Sequence, residues 1–188
     1  MLTVLDAAGS ERPSVMATND AGVLAVLLAA THPDRVGSLV LVNSYARGLY
    51  APDYPWGWPE EVAIKMADDT IEPSDETGWS LDFVAPSMAG DEEFRRWWDR
   101  SGNRGASPAT ARALIEVYLR SDVRDVLGVI AAPTLVVHRT DNAANSVENG
   151  RYLAEHIPGA RLVELAGSDD FFWVVATPTR LSTRSKSS

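Results

Sequence analysis

Residues 14–43, SVMATNDAGVLAVLLAATHPDRVGSLVLVN, constrain the fold more than any other stretch of the chain. Residues 14–17 form a short apolar run that suits a buried strand. Thr18-Asn19-Asp20-Ala21-Gly22 is a tight turn with small residues at its flanks. Residues 23–31 are rich in Ala and Leu and predict a helix. His32-Pro33-Asp34 ends it, because the residue before a proline is pushed out of the helical region. Residues 37–43 form a second apolar strand. Strand, crossover helix and strand make a βαβ unit with parallel strands. The turn lies at the carboxyl end of the first strand, where open α/β sheets place their chemistry.

That turn occupies the position of a nucleophile elbow, which needs small-x-nucleophile-x-small on a strained strand-to-helix turn. Here the pattern reads Ala17-Thr18-Asn19-Asp20-Ala21. The flanks suit the geometry, but an asparagine amide is a poor nucleophile and no neighbouring base changes that. The scaffold of a hydrolase and the loss of its central atom therefore coexist in one motif.

Composition narrows the remaining classes. The chain has 188 residues, 45% of them hydrophobic, enough for one domain with a sizeable core. No run of 18 apolar residues is present, so no membrane span is expected. The first dozen residues lack the basic, apolar and cleavage regions of a secretory signal, and a cytoplasmic location is expected. There are no cysteines, which excludes disulfides and thiolate metal sites. The three histidines and the acids show no close ligand spacing, so no metal and no other cofactor is expected. With 17 basic and 26 acidic residues the net charge is −9, which argues against nucleic acid as a partner. Residues 176–188 form a polar, basic tail without periodicity, expected to be disordered.

In chain order, residues 2–8 predict a helix closed by Gly9. Residues 44–59 hold three prolines, three tyrosines and two tryptophans and predict a loop. Its aromatics suit either a pocket wall or the fastening of a cap to the core. Short helices follow at 60–69 and 79–87, and a better one at 91–100, where Phe94, Trp97 and Trp98 share a side and read as core. A Gly-rich loop precedes a helix over 107–121, with Ser107 as its cap and Pro108 at its first position. Strands at 133–137 and 160–165 flank a helix at 146–157. The expected organisation is a core from residues 1–43 and 122–175 and a helical cap from 44–121.

This order resembles the second half of an α/β-hydrolase fold: about four parallel strands with a helical cap insertion. More narrowly, the chain resembles the α/β-hydrolase-like N-terminal domain of some actinobacterial class III adenylate cyclases. The segments that carry this are VLDAAGSER (4–12), AATHPDRVGSLVLVN (29–43), YAPDYP (50–55), AGDEEFRRWWDRSGNRGASPATAR (89–112), DVRDVLG (122–128), APTLVVHRT (132–140) and GRYLAEHIPGARLVELAGSD (150–169). The resemblance places the nucleophile on Asn19. It places the acid on Asn142, in a segment that often reads HR-x-G-D in relatives and here reads His138-Arg139-Thr140-Asp141-Asn142. It places the histidine on Asp170, in a loop like G-x-D-H. None of the three is the type that acyl transfer needs.

Thr18, Asn19, Asp20, Tyr45, His138, Asp141, Asn142 and Asp170 are the expected pocket residues. An alternative register takes Asp20 as nucleophile, with His138 nearby. The resemblance implies a degenerate domain that binds a small-molecule ligand or regulates a partner. The competing expectations are an unusual Asp20-based esterase and a truncated remnant without activity. The family's strands before the elbow are absent from this sequence. The elbow strand is therefore expected at a bare sheet edge, to be covered by a missing N-terminal segment or a second chain.

Overall fold

The computed structural model describes residues 1–68, 80–105 and 107–171, with side chains between 102 and 105 excluded. The βαβ unit forms as the sequence requires. Strand β1 (Ser14–Thr18) runs through the turn into α2 (Ala21–Thr31), and β2 (Ser38–Val42) returns parallel to β1, with Ser14 opposite Ser38 and Thr18 opposite Val42. Helix α1 (Leu2–Ala7) precedes them and ends at Gly9, whose φ of 63° is the left-handed conformation that a helix terminus exploits. Strands β3 (Thr134–Arg139) and β4 (Arg161–Leu165), joined across α7 (Val147–His156), complete a four-stranded parallel sheet in the order β1-β2-β3-β4. This is an α/β-hydrolase fold with its sheet read from the elbow strand onward.

Helix α2 is apolar on nearly every side, and Val23, Ala25, Val26 and Ala29 are sealed against the sheet. Gly22 marks the tightest approach. A Cβ placed there would stand 2.4 Å from Ser44 Oγ, so the first turn of α2 presses directly on the end of β2. On the other side of the sheet order, β4 leaves Val163 and Leu165 partly open. Among the described residues β1 pairs with β2 alone, and Met16 on it is half exposed.

Among the described residues, four α-helices stand between β2 and β3: α3 (Glu60–Asp68), α4 (Leu81–Val84), α5 (Glu92–Gly105) and α6 (Pro108–Leu119). Ser107 caps α6, accepting from the Thr110 N–H. Helices α3 and α6 pack together and are laced by Arg112–Asp68 and Arg120–Glu60 ion pairs, exposed and therefore worth little. Three expectations change. The helix expected at 79–87 is a short turn of α-helix, α4, followed by a 3₁₀ turn at Pro86–Met88, because Pro86 cannot continue the helix. Helix α5 runs on through Gly102 and Gly105, expected as loop; glycine propensity is a weak determinant against tertiary context. Of the aromatic stripe, Phe94 and Trp98 pack against Leu81 and Ala85, whereas Trp97 stays 47% exposed beside Phe94. Residues 69–79, between α3 and α4, and the tail expected at 176–188 lie outside the described residues.

Candidate functional site

The site grows from the turn after β1. Asn19 has φ 50°, the left-handed region that asparagine tolerates better than most residues. Its N–H donates to the Val42 carbonyl, and its own carbonyl accepts from the Gly22 N–H. The turn after β1 thus has strained, left-handed backbone at a residue that carries an amide.

Asn19 does not stand alone. Its Nδ2 donates to Oδ2 of Asp170, and Asn142 Nδ2 donates to Oδ1 of the same carboxylate at 2.7 Å. The three residues that the resemblance assigned to nucleophile, acid and base therefore converge on one hydrogen-bonded node, with Asp170 at its centre. Asp170 is 4% exposed. Burial pushes its carboxyl up to about 6; the Asn142 amide opposes this, the nearby Asp20 charge adds to it, and the Asn19 amide opposes it. Asn142 cannot turn around, because its Oδ1 already accepts from the Ala144 and Asn145 N–H groups at 2.9 and 3.0 Å. Asn19 keeps a buried Oδ1 with no hydrogen-bond partner.

A layer of amides lies beneath. Asn43, buried at the end of β2 with φ 47°, donates its Nδ2 to the Asp170 carbonyl at 2.6 Å and accepts the Arg139 N–H at 3.0 Å. Asn145 donates to the Asn43 carbonyl, Asn149 to Asn145 Oδ1, and Tyr54 to Asn149 Oδ1. Asp169 accepts from the Ser87 N–H and hydroxyl at 3.0 and 2.7 Å, tying the cap to the loop that carries Asp170. Asn43, Asn145, Asn149 and Asp169 are not among the expected site residues. The cluster of three asparagines between 142 and 149 was the available signal, since burying so many amides requires a network.

Above the node a cavity of about 520 Å³ opens between the sheet end and the cap. Asn19, Asp20 and Asp170 line its floor; Tyr45, Trp56, Trp58, Tyr118 and Phe171 supply aromatic walls. Tyr45 donates its hydroxyl to Asp20 Oδ1 at 2.7 Å. Burial raises the Asp20 carboxyl, opposed by this hydrogen bond, and raises the Tyr45 hydroxyl as well. The loop at 44–59 serves both of its expected uses. Tyr54 is fully buried against Trp56 and Tyr152, while Trp56 and Trp58 face the cavity.

His138 is a correction. It sits inside β3, and the pleat points it with Thr134 and Val136 to the face packed by α7. Its Nε2 bonds the Asn145 carbonyl at 2.8 Å and its ring abuts Gly150, where a Cβ would come within 2.7 Å of Nδ1. It is not on the cavity lining, and burial lowers its pKa, so it is held neutral. An Asp20–His138 pair is therefore not formed. Thr18, Asp141 and Asn142 are likewise off the lining, Asn142 standing behind Asp170. Among the described residues no group of three or more histidines and acids has metal-binding geometry, and no helix is long and apolar enough to cross a membrane.

Elbow, parallel sheet and cap together define an α/β-hydrolase. The sequence profile of the alpha/beta hydrolase fold matches residues 2–175, and the chain belongs to that family. It is 29% identical over 157 residues to a pimeloyl-[acyl-carrier protein] methyl ester esterase of Nitrosomonas europaea, covering 81% of this chain and 62% of that protein. The crystal structure of the enol-lactonase from Burkholderia xenovorans LB400 matches with a TM-score of 0.70 at 27% identity, over 90% of this chain and 63% of the other. An esterase from Exiguobacterium antarcticum matches with a TM-score of 0.76 at 19% identity, over 86% and 60%, a likeness of fold alone. The chain thus spans less than two thirds of the length of these relatives.

Proposed function

We propose that this chain is a catalytically degenerate α/β-hydrolase-like domain that holds a small molecule under its cap without turning it over. The observation that carries the reading is the Asn19–Asp170–Asn142 node. A triad passes a proton from nucleophile to imidazole and uses a carboxylate to orient the ring. Here an amide stands at the elbow, an acid stands where the imidazole would be, and an amide stands behind it. All three histidines are described, and none lines the cavity. The relatives bear the names of esterases and lactonases, so the pocket is inherited from a fold that receives esters. The likeness to cyclase-linked domains supports a regulatory use of the bound state. The open side of β1 supports the further proposal that an N-terminal segment or a second chain adds a strand there.

The test is a thermal melt followed by p-nitrophenyl acetate hydrolysis on the same sample of the 188-residue chain. A cooperative melt with no rate above the buffer reaction is the expected result. Turnover that Asp20→Asn abolishes would overturn the reading in favour of the Asp20-based esterase. Absence of a cooperative transition would instead mark a remnant that does not fold by itself.

A further inference from the structure

The cavity's charge is unbalanced. Asp20 and Asp170 both line it, and no lysine, arginine or histidine pairs with either among the described residues. Arg47 also lines the cavity, but its NH1 is held by Asp122 at 2.5 Å and its Nε donates to the Leu49 carbonyl at 2.8 Å. Asp20 is met by one phenol and Asp170 by two amides; these donors satisfy lone pairs without cancelling charge.

One more observation points the same way. The walls are aromatic, and aromatic faces attract cations through their negative quadrupole. A ligand that answers both features must carry positive charge and have an apolar body.

We propose that the cavity takes a protonated primary amine on an aromatic or alkyl body. Its ammonium lies between Asp20 and Asp170, and its body lies among Tyr45, Trp56 and Trp58. This rests on the binding reading above and adds the chemical class of the ligand. An anion meets two carboxylates in the same space, and a neutral guest leaves both uncompensated.

Isothermal titration of the full chain at pH 8 with phenethylamine, 2-phenylethanol and 3-phenylpropionate tests it. Expected are saturable binding of phenethylamine at least tenfold tighter than the alcohol, and no binding of the carboxylate. Asp170→Asn, shown folded by its melt, is expected to lose at least tenfold for the amine and to leave the alcohol unchanged. Should that variant fail to fold, Asp20→Asn carries the same comparison. Equal binding of amine and alcohol, tighter binding of the carboxylate, undiminished amine affinity in the folded variant, or no amine binding each overturns the inference. Equal binding of amine and alcohol without ester turnover leaves the binding reading standing. Ester turnover sinks that reading whatever the titration shows.

Discussion

Asn19 and Asp170, 151 positions apart in the chain, are joined side chain to side chain at the carboxyl ends of β1 and β4. The bond places a neutral amide against an acid that burial has made reluctant to ionise. Folding therefore raises the affinity of Asp170 for its proton.

The stability consequence follows from that direction. The unfolded chain ionises Asp170 near its ordinary 3.8 and the folded chain near about 6, so each rise in pH across that window removes stability, about 3 kcal/mol in all. His138 acts oppositely: it is buried neutral, so stability falls as pH drops below the unfolded value of 6.5. The wild-type profile sums these with the other shifted groups, Asp20 and Asp122 among them. The difference between Asp170→Asn and wild type isolates the acid. The variant is expected to gain relative stability steadily from pH 4 to pH 7 by urea denaturation, Asn19 turning its free Oδ1 toward the new amide. A pH-independent difference would contradict the buried, ionisable Asp170 described above.

Left-handed backbone at Asn19 separates two variants. Asn19→Ala loses the bond to Asp170 and places a Cβ-bearing residue without local side-chain support at φ 50°, for an expected cost of about 2–3 kcal/mol. Asn19→Gly loses the same bond but not the backbone comfort, and should be roughly 1 kcal/mol less harmful. Identical urea midpoints for the two would show that the turn relaxes out of this conformation.

Gly22 gives a steric test. Gly22→Ala drives a methyl against Ser44 Oγ and Cβ at 2.4 and 2.5 Å and is expected to cost about 2–3 kcal/mol. Ser44→Gly removes both atoms, so the double variant should recover most of the loss. Additive losses in the double-mutant cycle would place the clash elsewhere.

Asn43 holds the loop bearing Asp170. Asn43→Gly keeps the φ of 47° and removes the side chain that joins the Asp170 carbonyl to the Arg139 N–H. About 2 kcal/mol should be lost. Hydrogen exchange should accelerate at the Arg139 amide, with exchange in β1 tracking only the global change.

Much of the architecture was legible because it is local. Small flanks around Asn19, an Ala/Leu run and a His-Pro stop describe a strand, turn and helix without distant partners. The convergence of Asn19, Asn142 and Asp170 was accessible only through resemblance, since nothing in their separate segments brings them together. His138 misled because one residue of strand parity decides its face, and a strand end drawn at 137 rather than 139 hides that parity. The amide layer of Asn43, Asn145 and Asn149 stayed invisible because polarity in a sequence suggests surface, while their burial is a property of the assembled sheet end.

The Arg47–Asp122 pair has a reach beyond its own geometry. Asp122 lies off the cavity lining, is held ionised with a pKa down to about 2, and also engages Arg124. It thereby neutralises, from a position off the lining, the one guanidinium that lines the cavity among the described residues. A neutral substitution at position 122 would leave the Arg47 charge beside the cavity without its carboxylate, held by the Leu49 carbonyl.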